Sequence, residues 1–217
     1  MAIEDDNLHF DREQGVDVDA NSVDNSAGNM DNVPTLASGK VGDTDGDTMI
    51  IGTKRIDVSD SRAVQQEIDD FAKMYANADV EYARVITQSG DVFTLQGTES
   101  TVNPAIVGSD ALHGATVMHN HPVEAGERMG DSFSRVDLEF AARHQTGAHY
   151  LFSGERQDSF AFTTPMSEDE VYNAWQDAES KMLRRAKEGI LSAHHYQAGI
   201  LAILNEDQER FDYYDSI

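Results

Sequence analysis

Cysteine is absent from all 217 residues. That removes disulfides, thiolate nucleophiles and every cysteine-rich zinc site in one step. It also removes the zinc nucleoside deaminases, whose signature needs a Cys-x-x-Cys pair. Basic side chains are scarce: 16 Lys and Arg stand against 40 Asp and Glu, a formal charge of −24. A surface this acidic is repelled by nucleic-acid phosphates and anionic headgroups, so neither nucleic acid nor membrane is expected as a partner. A basic protein partner suits it better. Long apolar runs are missing as well, and AGILAIL near the C-terminus is far too short to cross a bilayer. The opening MAIEDDNLHFDRE has neither the basic nor the apolar region of a secretory signal. A cytoplasmic location is the expectation.

Hydrophobic residues make up 39% of the chain, low enough that part of it is expected to stay outside any core. Residues 1–48 are the candidate, with 12 acidic and 2 basic side chains and little apolar periodicity. Such a segment buries too little surface to offset the entropy of ordering it, so a disordered acidic arm is expected there. Within it, DTDGD (Asp43, Asp45, Asp47) is like the start of a calcium loop. Lys54, however, occupies the twelfth position, where an EF-hand needs glutamate. A plain solvated loop is the expectation.

From Ser59 the pattern changes. Ser61 is a candidate N-cap, and Val64, Ile68, Phe71 and Met74/Tyr75 recur at helical spacing. VEYARVITQSGDVFTLQG then reads as two strands around a Ser89-Gly90-Asp91 turn. Residues 98–113 read as a polar connector, GATVMHNH as a short buried strand, and the chain from Ser134 as a helix. HYLFSG and SFAFTT are two further strands. In the last third, Ser167 to Glu170 has capping-box spacing, and Val171, Trp175, Ala178, Met182 and Ala186 mark one apolar helix face. The helical pattern runs on, with a break at Gly189, through Ile200 and Ile203. The chain is thus expected to be α/β, with its domain at 59–165 and a helical extension and acidic tail at 166–217.

The chemistry is concentrated in His119-Asn120-His121-Pro122 and Ser134-Arg135-Val136-Asp137. Histidines two apart on an extended chain point to one side, so both imidazoles can meet a single ion. Pro122 ends the strand, and Asp137 falls in the first turn of the next helix. Two imidazoles and one carboxylate leave a fourth tetrahedral position for water, the arrangement of a catalytic rather than a structural zinc.

These residues resemble the JAMM (MPN+, JAB) metalloprotease motif: His-x-His-Pro, then Ser-x-x-Asp, with a glutamate on an earlier strand. The HNHP form and the FSRVDLEF that follows are similar to the RadC-like and the phage- or toxin-associated bacterial branches. The resemblance covers about residues 60–165. It implies a JAMM/MPN-like, cytidine-deaminase-like fold, a mixed sheet flanked by helices. It implies Zn2+ on His119, His121 and Asp137, Ser134 helping to hold the oxyanion, and Glu81 passing a proton from the attacking water to the leaving amine. Glu67 and Glu99 are lesser candidates for that glutamate. The implied substrate is a protein or peptide, cut at peptide or isopeptide bonds of the ubiquitin-like kind. Eleven residues separate Pro122 from Ser134, a longer spacing than the family's usual one, which enlarges the substrate-facing loop.

Each element has a plainer reading. His-x-His occurs by chance, Ser134-x-x-Asp137 is also a helix start, and Glu81 alone is an ordinary strand residue. The alternative function is therefore a non-catalytic MPN-like binding or scaffold module of a phage or bacterial assembly. His113 is expected in loop packing, His144 and His149 at a helix-to-strand junction, and His194-His195 on the surface of the final helix. Tyr172 and Trp175 are expected in a docking or core stripe, and Tyr213 and Tyr214 in a frayed terminus.

Overall fold

Two glycine-bearing turns set the first strands. At Gly46 the backbone takes φ 57°, closing a hairpin between β1 (Thr44–Asp45) and β2 (Thr48–Arg55). At Gly90 it takes φ 88°, where a Cβ would stand 2.2 Å from the Ile56 carbonyl oxygen, so only glycine fits. The computed structural model describes residues 39–124, 127–128, 132–189 and 196–215. All of these fall within one compact unit. Most of the expected acidic arm, and the expected placement of His194-His195, lie outside the described residues.

The stretch from Thr44 to Asp47 was grouped with the arm by composition, but it forms the hairpin turn at the sheet edge. DTDGD builds that turn: the Asp43 carboxylate accepts from the Lys40 amide at 2.8 Å, and Asp45 accepts from Asn103 Nδ2 at 2.8 Å. Next comes α1 (Ser61–Tyr75), capped one residue earlier than expected, by Asp60, whose side chain accepts from the Arg62 amide. Strands β3 (Tyr82–Ile86) and β4 (Asp91–Gln96) form the expected hairpin. The expected polar connector instead holds a 3-10 turn, Pro104–Val107, and a short helix α2 (Ser109–Leu112). Val107 and Leu112 there are fully buried, apolar anchors too short to show a period.

Strand β5 (Thr116–Asn120) carries the first histidine; β6 (Val123–Glu124) and β7 (Glu127–Arg128) pair with each other beyond it. The chain returns as α3 (Arg135–His144), then β8 (Ala148–Ser153) and β9 (Arg156–Phe162). Helices α4 (Glu168–Lys187) and α5 (Tyr196–Asp207) follow. Tyr213 and Tyr214 do not lie in a frayed segment: β10 (Phe211–Asp215) pairs antiparallel with β9. Its alternation explains this, since Phe211 is buried and Tyr213 half-buried, while Asp212 and Tyr214 point to solvent.

The protein is mixed α/β, with an eight-stranded sheet in the order β1-β2-β4-β3-β5-β8-β9-β10 flanked by helices. Only β5 and β8 run parallel, and α3 lies in the crossover that such a pair requires. Opposite residues on paired strands share a face. Arg84 and Met118 therefore face α1, whose Ile68 and Phe71 pack with Met118, Ile86 and Phe152. Ala83 and His119 face the other side, which carries α2 and α3 to α5 with Leu112, Leu138, Trp175 and Ile200 in its core. No helix among the described residues is long and apolar enough to cross a membrane.

Candidate metal centre

Strand geometry brings the two histidines together. His119 is the penultimate residue of β5, and the His121 amide prolongs the pairing by donating to the Phe152 carbonyl at 2.9 Å. With period two preserved, the two Nε2 atoms lie 3.3 Å apart. Nitrogens bound to one tetrahedral zinc at ordinary bond lengths lie about 3.3–3.4 Å apart, so the spacing suits a shared ion. The Asp137 Oδ1 is 3.7 Å from His119 Nε2, and all three potential ligand atoms lie within 4.8 Å of one another. Among the described residues this is the one group of His, Asp and Glu side chains so arranged.

The helix-start reading and the ligand reading of Ser134-x-x-Asp137 are compatible, because the carboxylate divides its oxygens. Oδ2 accepts from the Ser134 amide and from Ser134 Oγ, both at 2.7 Å, completing a capping box at the start of α3. Oδ1 is left facing the histidines. The Ser134 hydroxyl, expected to serve an oxyanion, is thus committed to Asp137. The amide alone can keep the cap if the hydroxyl turns away.

Burial tunes the group for a cation. It lowers the basicity of His119 and, with His119 adding to it, brings His121 down to about 4, so both imidazoles are neutral at pH 7. Burial pushes the Asp137 carboxyl up, but both histidines and the Ser134 donors outweigh this and hold it below the usual carboxylate range. His121 Nδ1, the ring nitrogen that does not face His119, is buried with no partner in the protein. Two neutral Nε2 nitrogens and an ionised oxygen are a donor set that fits a divalent ion.

Glu81, one residue before β3, lines the same cavity of about 750 Å³ as His119, His121, Ser134 and Asp137. Burial first, and then the Asp137 charge, push its pKa up to about 7. Of the other candidate glutamates, Glu67 lies on the opposite face of the sheet, bound to Arg84 and Lys54, and Glu99 is exposed in a turn. Neither joins the group.

Comparisons with protein-family models, curated proteins and solved structures return no match for this chain. The family resemblance is therefore one of sequence motif alone.

Sequence reasoning passed over Asn120. Its side chain points away from the histidines, with Oδ1 accepting from the Tyr82 amide at 2.7 Å and Nδ2 donating to the Val80 carbonyl at 3.1 Å. One amide thus brackets Glu81 from both sides, while the Glu81 amide donates to the Thr98 carbonyl. The sequence offered only an asparagine between two candidate ligands, with no sign of the partners it reaches. His149 was placed correctly at the junction after α3. It is buried, held near Thr146 Oγ1 at 2.5 Å, stacked on Phe160, and lowered by burial to about 3. His113 is exposed and Trp175 sits in the core, whereas Tyr172 lies over the Arg135 guanidinium.

Proposed function

We propose that this protein is a metal-dependent amide hydrolase of the JAMM/MPN type, holding zinc on His119, His121 and Asp137. The observation that supports it most is the 3.3 Å spacing of two neutral, buried imidazole nitrogens beside an ionised carboxylate, with a second carboxyl, Glu81, on the same cavity. Two nitrogens and one oxygen with room for water favour zinc over the harder divalent ions. Zinc there supplies a Lewis acid and makes water a nucleophile near neutral pH.

The chain's own residues do the rest. The Ser134 amide holds Asp137 Oδ2 throughout, so Oδ1 keeps its bearing when the hydroxyl turns away. Glu81, on the wall of the same cavity, accepts a proton from the attacking water and delivers it to the leaving amine. The Ser134 hydroxyl, at the cavity wall, turns from Asp137 to donate to the developing oxyanion. Phe133 shields the edge of His119, with ring centroids 5.8 Å apart, and keeps the field in the site from being diluted by solvent. The substrate we assign is a polypeptide bearing a peptide or isopeptide bond, basic in character to match a chain of −24.

The test is hydrolysis by the zinc-loaded protein of a panel of basic peptides and ubiquitin-like conjugates. Glu81→Gln should keep its zinc and lose turnover by about a hundredfold or more. Equal turnover in the variant would remove Glu81 from the mechanism, and none in the wild type across the panel would leave a binding module in place of an enzyme.

A further inference from the structure

Local sequence does not determine where the chain stands as it enters α3 beside the proposed metal centre. Ser132, two residues before the cap of α3, is fully buried and bonded from three elements. Its hydroxyl donates to Asp158 Oδ2 at 2.5 Å. That uses its one proton, so the Tyr213 hydroxyl, 3.0 Å away, donates to Ser132. Arg156 closes the ring, donating from Nε to Asp158 Oδ1 at 2.8 Å and from Nη2 to Tyr213 at 3.4 Å and Asp215 at 3.0 Å. The Ser132 amide donates to Gln197 Oε1 of α5 at 3.2 Å. Strands β9 and β10 and helix α5 thus converge on one small residue.

The next residues carry that anchorage into the site. Phe133, fully buried, sets its ring edge against Phe160 at 4.7 Å and against His119 at 5.8 Å. Ser134 then gives both its donors to Asp137. Consecutive Cα atoms are fixed at about 3.8 Å, so a shift at Ser132 has little slack to absorb it before the cap.

From this geometry we infer that the C-terminal strand is a clasp for the metal centre. Ser132, held by Asp158, Arg156 and Tyr213, is the positioning residue that sets where Asp137 meets the histidines. The inference rests on the metal centre proposed above and gives β10 a part in it, although the motif ends far upstream.

The test is zinc affinity of the full chain by chelator competition, at a temperature where circular dichroism shows each variant folded. Visible absorption of the cobalt(II) form reads ligand geometry, which a loss of stability alone does not move. Ser132→Ala should weaken zinc binding about tenfold or more and alter the cobalt spectrum, as loss of a ligand's supporting partners does in other metal sites. Tyr213→Phe should do the same to a smaller degree. Tyr214→Phe, on the exposed side of the same strand, should change neither. Wild-type affinity and spectrum in both Ser132→Ala and Tyr213→Phe overturn the clasp and leave the metal centre standing. No zinc bound by the wild type overturns the centre, and the clasp with it. Should Ser132→Ala fail to fold, Tyr213→Phe decides.

Discussion

Two buried polar clusters stand on neighbouring residues of the sheet and on opposite faces of it. On the α1 face, Arg84 donates to the Glu67 carbonyl and carboxylate at 3.0 and 3.1 Å and to Thr94 at 3.3 Å, over the ring of Phe71. Lys54 takes the other Glu67 oxygen at 2.6 Å. Both Glu67 oxygens have donors, and the one surplus positive charge, on Lys54, is exposed to solvent. On the other face, two imidazole nitrogens confront each other at 3.3 Å, a carboxylate oxygen faces them, and His121 Nδ1 is left orphaned. The first cluster is complete as it stands. The second has a carboxylate with no full counter-charge, which a cation on the two Nε2 atoms and Oδ1 would supply. Being charged and buried does not distinguish structure from function; what remains unmatched does.

That difference can be broken deliberately. Arg84→Ala leaves Glu67 with Lys54 as its remaining cation and strips the donor from its other buried oxygen, and should cost about 2–3 kcal/mol in denaturant unfolding, with zinc affinity unchanged. Arg84→Met with Glu67→Leu, which removes the charges together, should return stability to within about 1 kcal/mol of wild type. If the double variant stays as unstable as the single, the cluster is more than a self-satisfied pair.

Asn120→Ala removes both bonds that bracket Glu81 and should cost about 2–3 kcal/mol, since the Tyr82 amide and Val80 carbonyl are left short of partners. A cost below 0.5 kcal/mol, or so (about the size of a surface substitution), would mean that the bracket is not formed in solution.

The smallest effect concerns Glu81 in the metal-free protein. Its folded pKa, about 7, lies above the unfolded value near 4.5, so the folded state binds more protons between those limits. Stability should therefore fall as pH rises from 4.5 to 7, and the penalty should be full above 7. Glu81→Gln should be more stable than wild type at pH 8 by on the order of 2 kcal/mol and equal to it at pH 4. A difference that is the same at both pH values would show that Glu81 does not titrate as described.

Much of this was legible in the sequence where the signal is local. The β3–β4 hairpin, β5 and the capping boxes of α3 and α4 follow from alternation, turn glycines and Ser-x-x-acid spacing over a few residues. The meeting of His119 with His121 follows from strand period alone. Strand β10 was missed because FDYYD looks like part of an acidic tail until Phe162 and Phe160 are seen beside it. The buried halves of the 98–113 connector hid for a similar reason: Val107 and Leu112 are single anchors without a period. The supports of the site were the least legible. Asn120 reaches partners 38 and 40 residues away, and Ser132 meets Tyr213 across 81 residues. Such pairings are set by tertiary packing, and a sequence pattern of fixed spacing cannot encode them.

The central claim is that the second cluster is built for an ion. Elemental analysis of purified protein, with and without added zinc, compared with His119→Ala/His121→Ala, addresses it most directly. The account predicts about one zinc per chain in the wild type and none in the double variant. No zinc in the wild type after it is offered, or the same zinc in both, would contradict it.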